Sequence, residues 1–122
     1  MQRHFFAAGA LAAALTMPAG YAGAAEPSTA HLLPSAVTIH IKDFKYRPNQ
    51  VTIHAGDRVT FINDDSEAHT ATSDDTSFDS EGLDSGDTWQ HVFAKPGTYR
   101  YFCELHPYMK ATLVVLPAGA PR

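Results

Sequence analysis

Tyr99-Arg100-Tyr101-Phe102-Cys103-Glu104-Leu105-His106-Pro107-Tyr108-Met109, followed by Lys110-Ala111-Thr112 and Leu113-Val114-Val115-Leu116, is the part of the sequence that decides the fold. Its two ends, Tyr99 to Phe102 and Leu113 to Leu116, are rich in aromatic and β-branched residues, which suit a pleated, half-buried strand. Between them Cys103, His106 and Met109 fall within seven residues. A spacing of three and three would suit one face of a helix, but Pro107 opposes that. Its ring would collide with the carbonyl of Cys103 one turn earlier, and it biases His106 toward extended geometry. The segment is therefore expected to be a tight loop. Fully extended, seven residues reach roughly 20 Å or more, so side chains at both ends meet only if the chain folds back between two strands.

Upstream, the apolar pattern has period two. Val37, Ile39 and Ile41 alternate with Thr38, His40 and Lys42, Val51 and Ile53 flank Thr52, and Val59-Thr60-Phe61 and Trp89 to Phe93 continue the pattern. Turn residues separate these runs at Arg47-Pro48-Asn49, Ala55-Gly56-Asp57 and Lys95-Pro96-Gly97-Thr98, the last in the order a type II turn requires. Short strands with regular punctuation, and no helical period, predict an all-β sandwich or barrel.

The chain of 122 residues is 44% hydrophobic and 18% charged, enough for one small globular domain. It opens with Arg3, an apolar run from Phe5 to Met17, and the small residues Ala22-Gly23-Ala24. That is the layout of a secretory signal peptide over 1–24, and the run is short of the roughly 18 residues of a spanning helix, so no retained membrane anchor is expected. With one Arg in the leader, a twin-arginine signal is absent. Residues 25–35 read as a flexible lead-in, 36–117 as the folded domain and 118–122 as a loose tail. Loss of Arg3 makes the exported protein one unit more negative than the −4 of the whole chain, which argues against nucleic acid as a partner. From Asp64 to Asp87 there are nine acidic residues and no Lys or Arg. This stretch reads either as a solvated loop region with a short strand or two or as an acidic docking face.

Cys103 has no second cysteine to pair with, although exported proteins sit in an oxidising compartment. A thiolate, an imidazole and a thioether close together favour a soft or borderline metal. A second imidazole must come from elsewhere, and His69, after the strand Val59 to Ile62, is the best-placed candidate. His40, His54 and His91 lie within or at the ends of alternating runs and read as surface or edge-strand residues. Two His, one Cys and a weak axial Met form the donor set of a blue-copper site, so His69, Cys103, His106 and Met109 are the expected ligands of one copper ion.

These features together resemble the cupredoxin family: a strand, Asp57-x-Val59-x-Phe61, a His after the following turn, Pro96-Gly97-Thr98-Tyr99, and then Tyr101-x-Cys103-x-x-His106-x-x-Met109. The two-residue gaps around His106 are most similar to the amicyanin branch. The resemblance covers about residues 37–116 and implies a Greek-key β-sandwich, with His106 partly exposed in an apolar surface to which Pro107 and Tyr108 contribute. With the leader, the expectation is a monomeric periplasmic protein, not an enzyme, that passes single electrons between redox partner proteins by Cu(I)/Cu(II) cycling. Many relatives have Asn directly after the first ligand His, where it ties the two ligand loops together; this chain has Thr70. A copper carrier or buffer would use the same four side chains. A Cys–His nucleophile pair would leave Met109 without a role, and zinc seldom recruits Met.

Overall fold

The computed structural model describes residues 34–121 continuously, with positions 9, 13, 20 and 23. The expected signal peptide, its cleavage site and the lead-in up to Leu33 lie outside the described residues. Eight strands follow one another: β1 (Ala36–Lys42), β2 (Lys45–Arg47), β3 (Gln50–His54), β4 (Arg58–Asn63), β5 (Thr72–Ser73), β6 (Thr88–Val92), β7 (Gly97–Cys103) and β8 (His106–Leu116). They form two four-stranded sheets, β2-β1-β4-β6 and β3-β8-β7-β5. From β2 to β7 the chain changes sheet at every connection, whereas β1–β2 and β7–β8 close as antiparallel neighbours. β1 pairs parallel with β4, and β3 parallel with β8. This is the Greek-key sandwich expected from the sequence.

The alternation read from the sequence is the alternation of burial. Ile39 and Ile41 on β1, Val59 and Phe61 on β4, Ile53 on β3, Tyr101 on β7 and Leu113 and Val115 on β8 fill the space between the sheets. Gly56 makes the reversal between β3 and β4 possible. Its φ of 98° suits the third position of a turn closed by the Asp57 amide donating to the His54 carbonyl at 3.0 Å.

Several local features differ from the expectations. The reversal between β7 and β8 is only Glu104-Leu105, and His106 to Met109 already belong to β8, with Cys103 opposite His106 across a register shift. Pro107 tolerates this because it sits at the start of the strand, beside an irregularity in the ladder. Gly97 opens β7 and does not sit inside a turn. β2 was not expected, since a run of three residues is too short to show a period; β5 is a short strand within the acidic stretch, as its loop reading allowed. The tail is tied down: the Ala120 amide donates to the Pro117 carbonyl, and the ring of His54 bonds to the Ala120 carbonyl. His54 is accordingly buried, although it ends β3, an edge strand of its sheet as expected.

Candidate metal centre

Three chain segments meet at one end of the sandwich. Cys103 closes β7, His106 opens β8, and His69 lies on the connection after β4, where its amide and carbonyl exchange hydrogen bonds with Leu83 at 3.0 and 2.7 Å. The Cys103 sulfur lies 3.7 Å from His69 Nδ1 and 3.6 Å from His106 Nδ1, and all three donor atoms fall within 4.8 Å of one another. Bonds of about 2.0 Å to nitrogen and about 2.3 Å to sulfur, spread around an ion, put N and S about 3.5–3.7 Å apart. The donor atoms therefore already stand at the spacing that one transition-metal ion would impose. Cys103 and His69 are fully buried, and His106 is half-buried.

Met109 is also buried, at 2% exposure, and shares the lining of an adjoining cavity with Phe44. The structure thus brings His69, Cys103 and His106 together and places Met109 on the same strand as His106. The other histidines lie elsewhere. His40 is exposed on β1 beside Asp64, and His91 stacks on Trp89 at 5.2 Å, where burial pulls its pKa down.

Two residues not singled out from the sequence hold His69 and His106. Asp65 Oδ2 bonds His69 Nε2 at 2.8 Å, so Nε2 carries the proton and the Nδ1 lone pair faces the thiol. The same carboxylate accepts the amides of Asp43 and Phe44 at 2.8 and 3.0 Å. Burial tends to raise the Asp65 pKa, but these donors and His69 outweigh it and hold the carboxyl below its usual range. The two amides belong to the β1–β2 hairpin, where Asp43 and Phe44 both have positive φ, 52° and 56°. That left-handed conformation is uncommon for a bulky residue. It sets the Phe44 ring edge-on against both imidazoles, with centroids 5.2 Å from His69 and 4.9 Å from His106. One carboxylate thus fixes the imidazole whose Nδ1 faces the Cys103 sulfur and the ring that covers it. The sequence signal for this was weak: an Asp four residues before a His.

Thr70 bridges the two ligand segments. Its amide lies 3.3 Å from the Cys103 sulfur, and its hydroxyl accepts the Glu104 amide at 2.9 Å. Its carbonyl accepts the Tyr46 hydroxyl at 2.5 Å.

A profile of the cupredoxin-like domain matches residues 6–115. The chain belongs to the cupredoxin family. Amicyanin-alpha of Methylorubrum extorquens is 34% identical over 114 residues, covering 89% of this chain and 83% of that protein. Among solved structures, a Cu(I) amicyanin variant superposes with a TM-score of 0.61 at 25% identity, over 66% of this chain and 81% of that one. The copper-containing nitrite reductase of Thermus scotoductus gives 0.63 at 30% identity over 74% of this chain, which spans only 23% of that larger protein. In this cupredoxin the tether between the ligand segments is a threonine hydroxyl, at the place where the resemblance led one to expect an asparagine amide.

Proposed function

We propose that His69, Cys103 and His106 hold one copper ion with Met109 as a weak fourth donor, and that the protein carries single electrons between redox partner proteins. The observation that carries this reading is the convergence of two oriented imidazole nitrogens on one buried sulfur, at metal-binding spacing. The likeness to amicyanin and to copper-containing structures supports it. Copper bound by a thiolate, two imidazoles and a thioether supplies a one-electron couple, because that donor set suits both oxidation states. The protein's own residues restrict rearrangement: Asp65 fixes the tautomer and direction of His69, Phe44 packs against both rings, and the Thr70 amide points at the sulfur. His106 reaches toward solvent, where Leu105 and Tyr108 are 55% and 69% exposed. With Pro107 they form an apolar surface through which a partner approaches the half-buried imidazole.

The reading includes export by a cleaved signal peptide over 1–24 to the periplasm, a folded domain over 36–117, a monomer without a retained membrane anchor, and no catalytic turnover. No described helix is long and apolar enough to cross a membrane. The test is to purify the exported form, add Cu(II), and record visible and EPR spectra for it and for Cys103→Ser. An intense thiolate-to-copper band, lost in the variant, is the expected result. A colourless protein that retains only Cu(I) would identify a copper carrier and overturn the electron-transfer reading.

A further inference from the structure

The hydroxyl of Thr70 does not stand alone. Thr70 Oγ1 lies 2.9 Å from Thr72 Oγ1, and Thr72 Oγ1 donates to Asp79 Oδ1 at 3.2 Å. Thr70 and Thr72 are 4% and 8% exposed. A count of protons orders the chain. The Asp79 carboxylate can only accept, so the single hydroxyl proton of Thr72 goes to it; the contact between the two threonines must then use the proton of Thr70. This leaves a lone pair on Thr70 turned toward the Glu104 amide, which donates to it. The hydrogen bonds run in one direction, from the Glu104 N–H through Thr70 and Thr72 to Asp79, and each donor strengthens the acceptor before it.

We propose that Thr72 and Asp79 are positioning residues for the metal centre: together they orient the Thr70 hydroxyl that ties the Cys103–His106 turn to the segment bearing His69. The inference rests on the reading of that site as a copper centre only for its spectroscopic consequence. Asp79 is itself anchored, since the same Oδ1 accepts the Glu81 amide at 2.8 Å and the Ser80 amide donates to the Ala71 carbonyl at 3.0 Å. The chain therefore ends on a fixed group. Asp79 belongs to the acidic run between Asp64 and Asp87, so this one of its charges has an inward task. The period of the sequence gives no hint of it, because the connection spans seven residues and closes through an isolated bridge between Thr72 and Asp79.

The test compares Thr72→Val, Thr72→Ser, Asp79→Ala and Asp79→Asn with the parent protein. Its first readout is amide hydrogen exchange at Glu104 in the metal-free protein. Loss of one link weakens a hydrogen bond by an amount that corresponds to roughly fivefold faster exchange. Thr72→Val and Asp79→Ala are expected to show that acceleration, whereas Thr72→Ser and Asp79→Asn, which keep a hydroxyl or an acceptor oxygen, stay near the parent. The second readout is the thiolate-to-copper band, which shifts in Thr72→Val and not in Thr72→Ser. Asp75→Ala removes an equal charge whose bonds run to Ser77 and the Ser73 side chain within the same turn and not to Thr70 or Thr72, and it leaves both readouts unchanged. Parent-like exchange in Thr72→Val, equal effects of Val and Ser, or an Asp75→Ala effect equal to that of Asp79→Ala would each overturn the proposal. If Thr72→Val does not fold, the Asp79 pair decides in the same way. Absence of the band in the parent would refute the copper reading and leave the exchange result to judge the relay.

Discussion

Tyr101 is the largest fully buried side chain, and among the described residues its hydroxyl is the buried polar atom without a hydrogen-bond partner. Burial pushes its pKa well above the usual phenol value. The ring packs against Tyr46, Phe61 and Phe78, with centroids 4.8, 5.7 and 5.8 Å away, so the apolar part of the side chain carries the stabilisation. Removal of an unsatisfied buried hydroxyl returns about 1–3 kcal/mol of desolvation cost. Tyr101→Phe is therefore expected to raise the midpoint of urea unfolding, and a lower midpoint would mean that the hydroxyl is satisfied. At this scale the sequence was unevenly legible. Cys103 and His106 stood out because an unpaired cysteine in a chain with the layout of an exported protein needs an explanation and Pro107 dictates how the chain turns. Asp65 and Phe44 did not, because their roles depend on a left-handed hairpin and a contact across 21 residues.

At the scale of elements, alternation revealed the strands long enough to show it and missed the two that are not. β5 exists because Thr72 and Ser73 pair with Phe102 and Tyr101 on β7, a contact no local pattern encodes. The ligand turn was expected to extend from Cys103 to Met109, yet β8 begins at His106 since its backbone pairs back to Cys103. The turn between β3 and β4 was legible because glycine was required there. With its φ of 98°, Gly56 occupies a region that other residues enter at a cost. A Cβ built at Gly56 meets nothing within 4 Å, so the penalty is purely conformational. Gly56→Ala should lower the unfolding free energy by about 1 kcal/mol or somewhat more. An unchanged value in chemical denaturation would show that the turn relaxes.

For the whole molecule, acid is the condition that loosens the sandwich. Asp57 is almost fully buried and accepts the amides of Ser35 at 2.7 Å and His54 at 2.9 Å, tying the start of β1 to the β3–β4 turn. Burial works to raise its pKa, but the two amides outweigh it and hold the carboxyl below the usual range. A depressed carboxyl pKa gives a stabilisation that is complete above the unfolded value, about 3.9, and is lost as pH falls through the folded one. His91 acts in the same direction, because its half-buried neutral ring resists the charge it acquires below about pH 6.5 when unfolded. Asp57→Ala is expected to cost about 2 kcal/mol at neutral pH, and the gap to the parent should narrow at low pH. A gap that is constant with pH would remove Asp57 from the acid response.

The acidic run was visible in the sequence, but its use was not. Asp65 is buried beside His69, Asp75 and Asp87 bond to nearby groups in their own turns, and Asp79 ends the threonine relay. Charge counting could not separate the buried Asp65 and these locally bonded carboxylates from an unbonded solvated surface.

On the proposed function, copper held by His69, Cys103 and His106, with Met109, cycles between two oxidation states without leaving the site. Protein-film voltammetry of the copper-loaded protein, with the metal content assayed before and after repeated cycles, tests this most directly. A reversible one-electron wave and one copper per chain throughout are the expected result. An irreversible wave with copper lost on oxidation would contradict it.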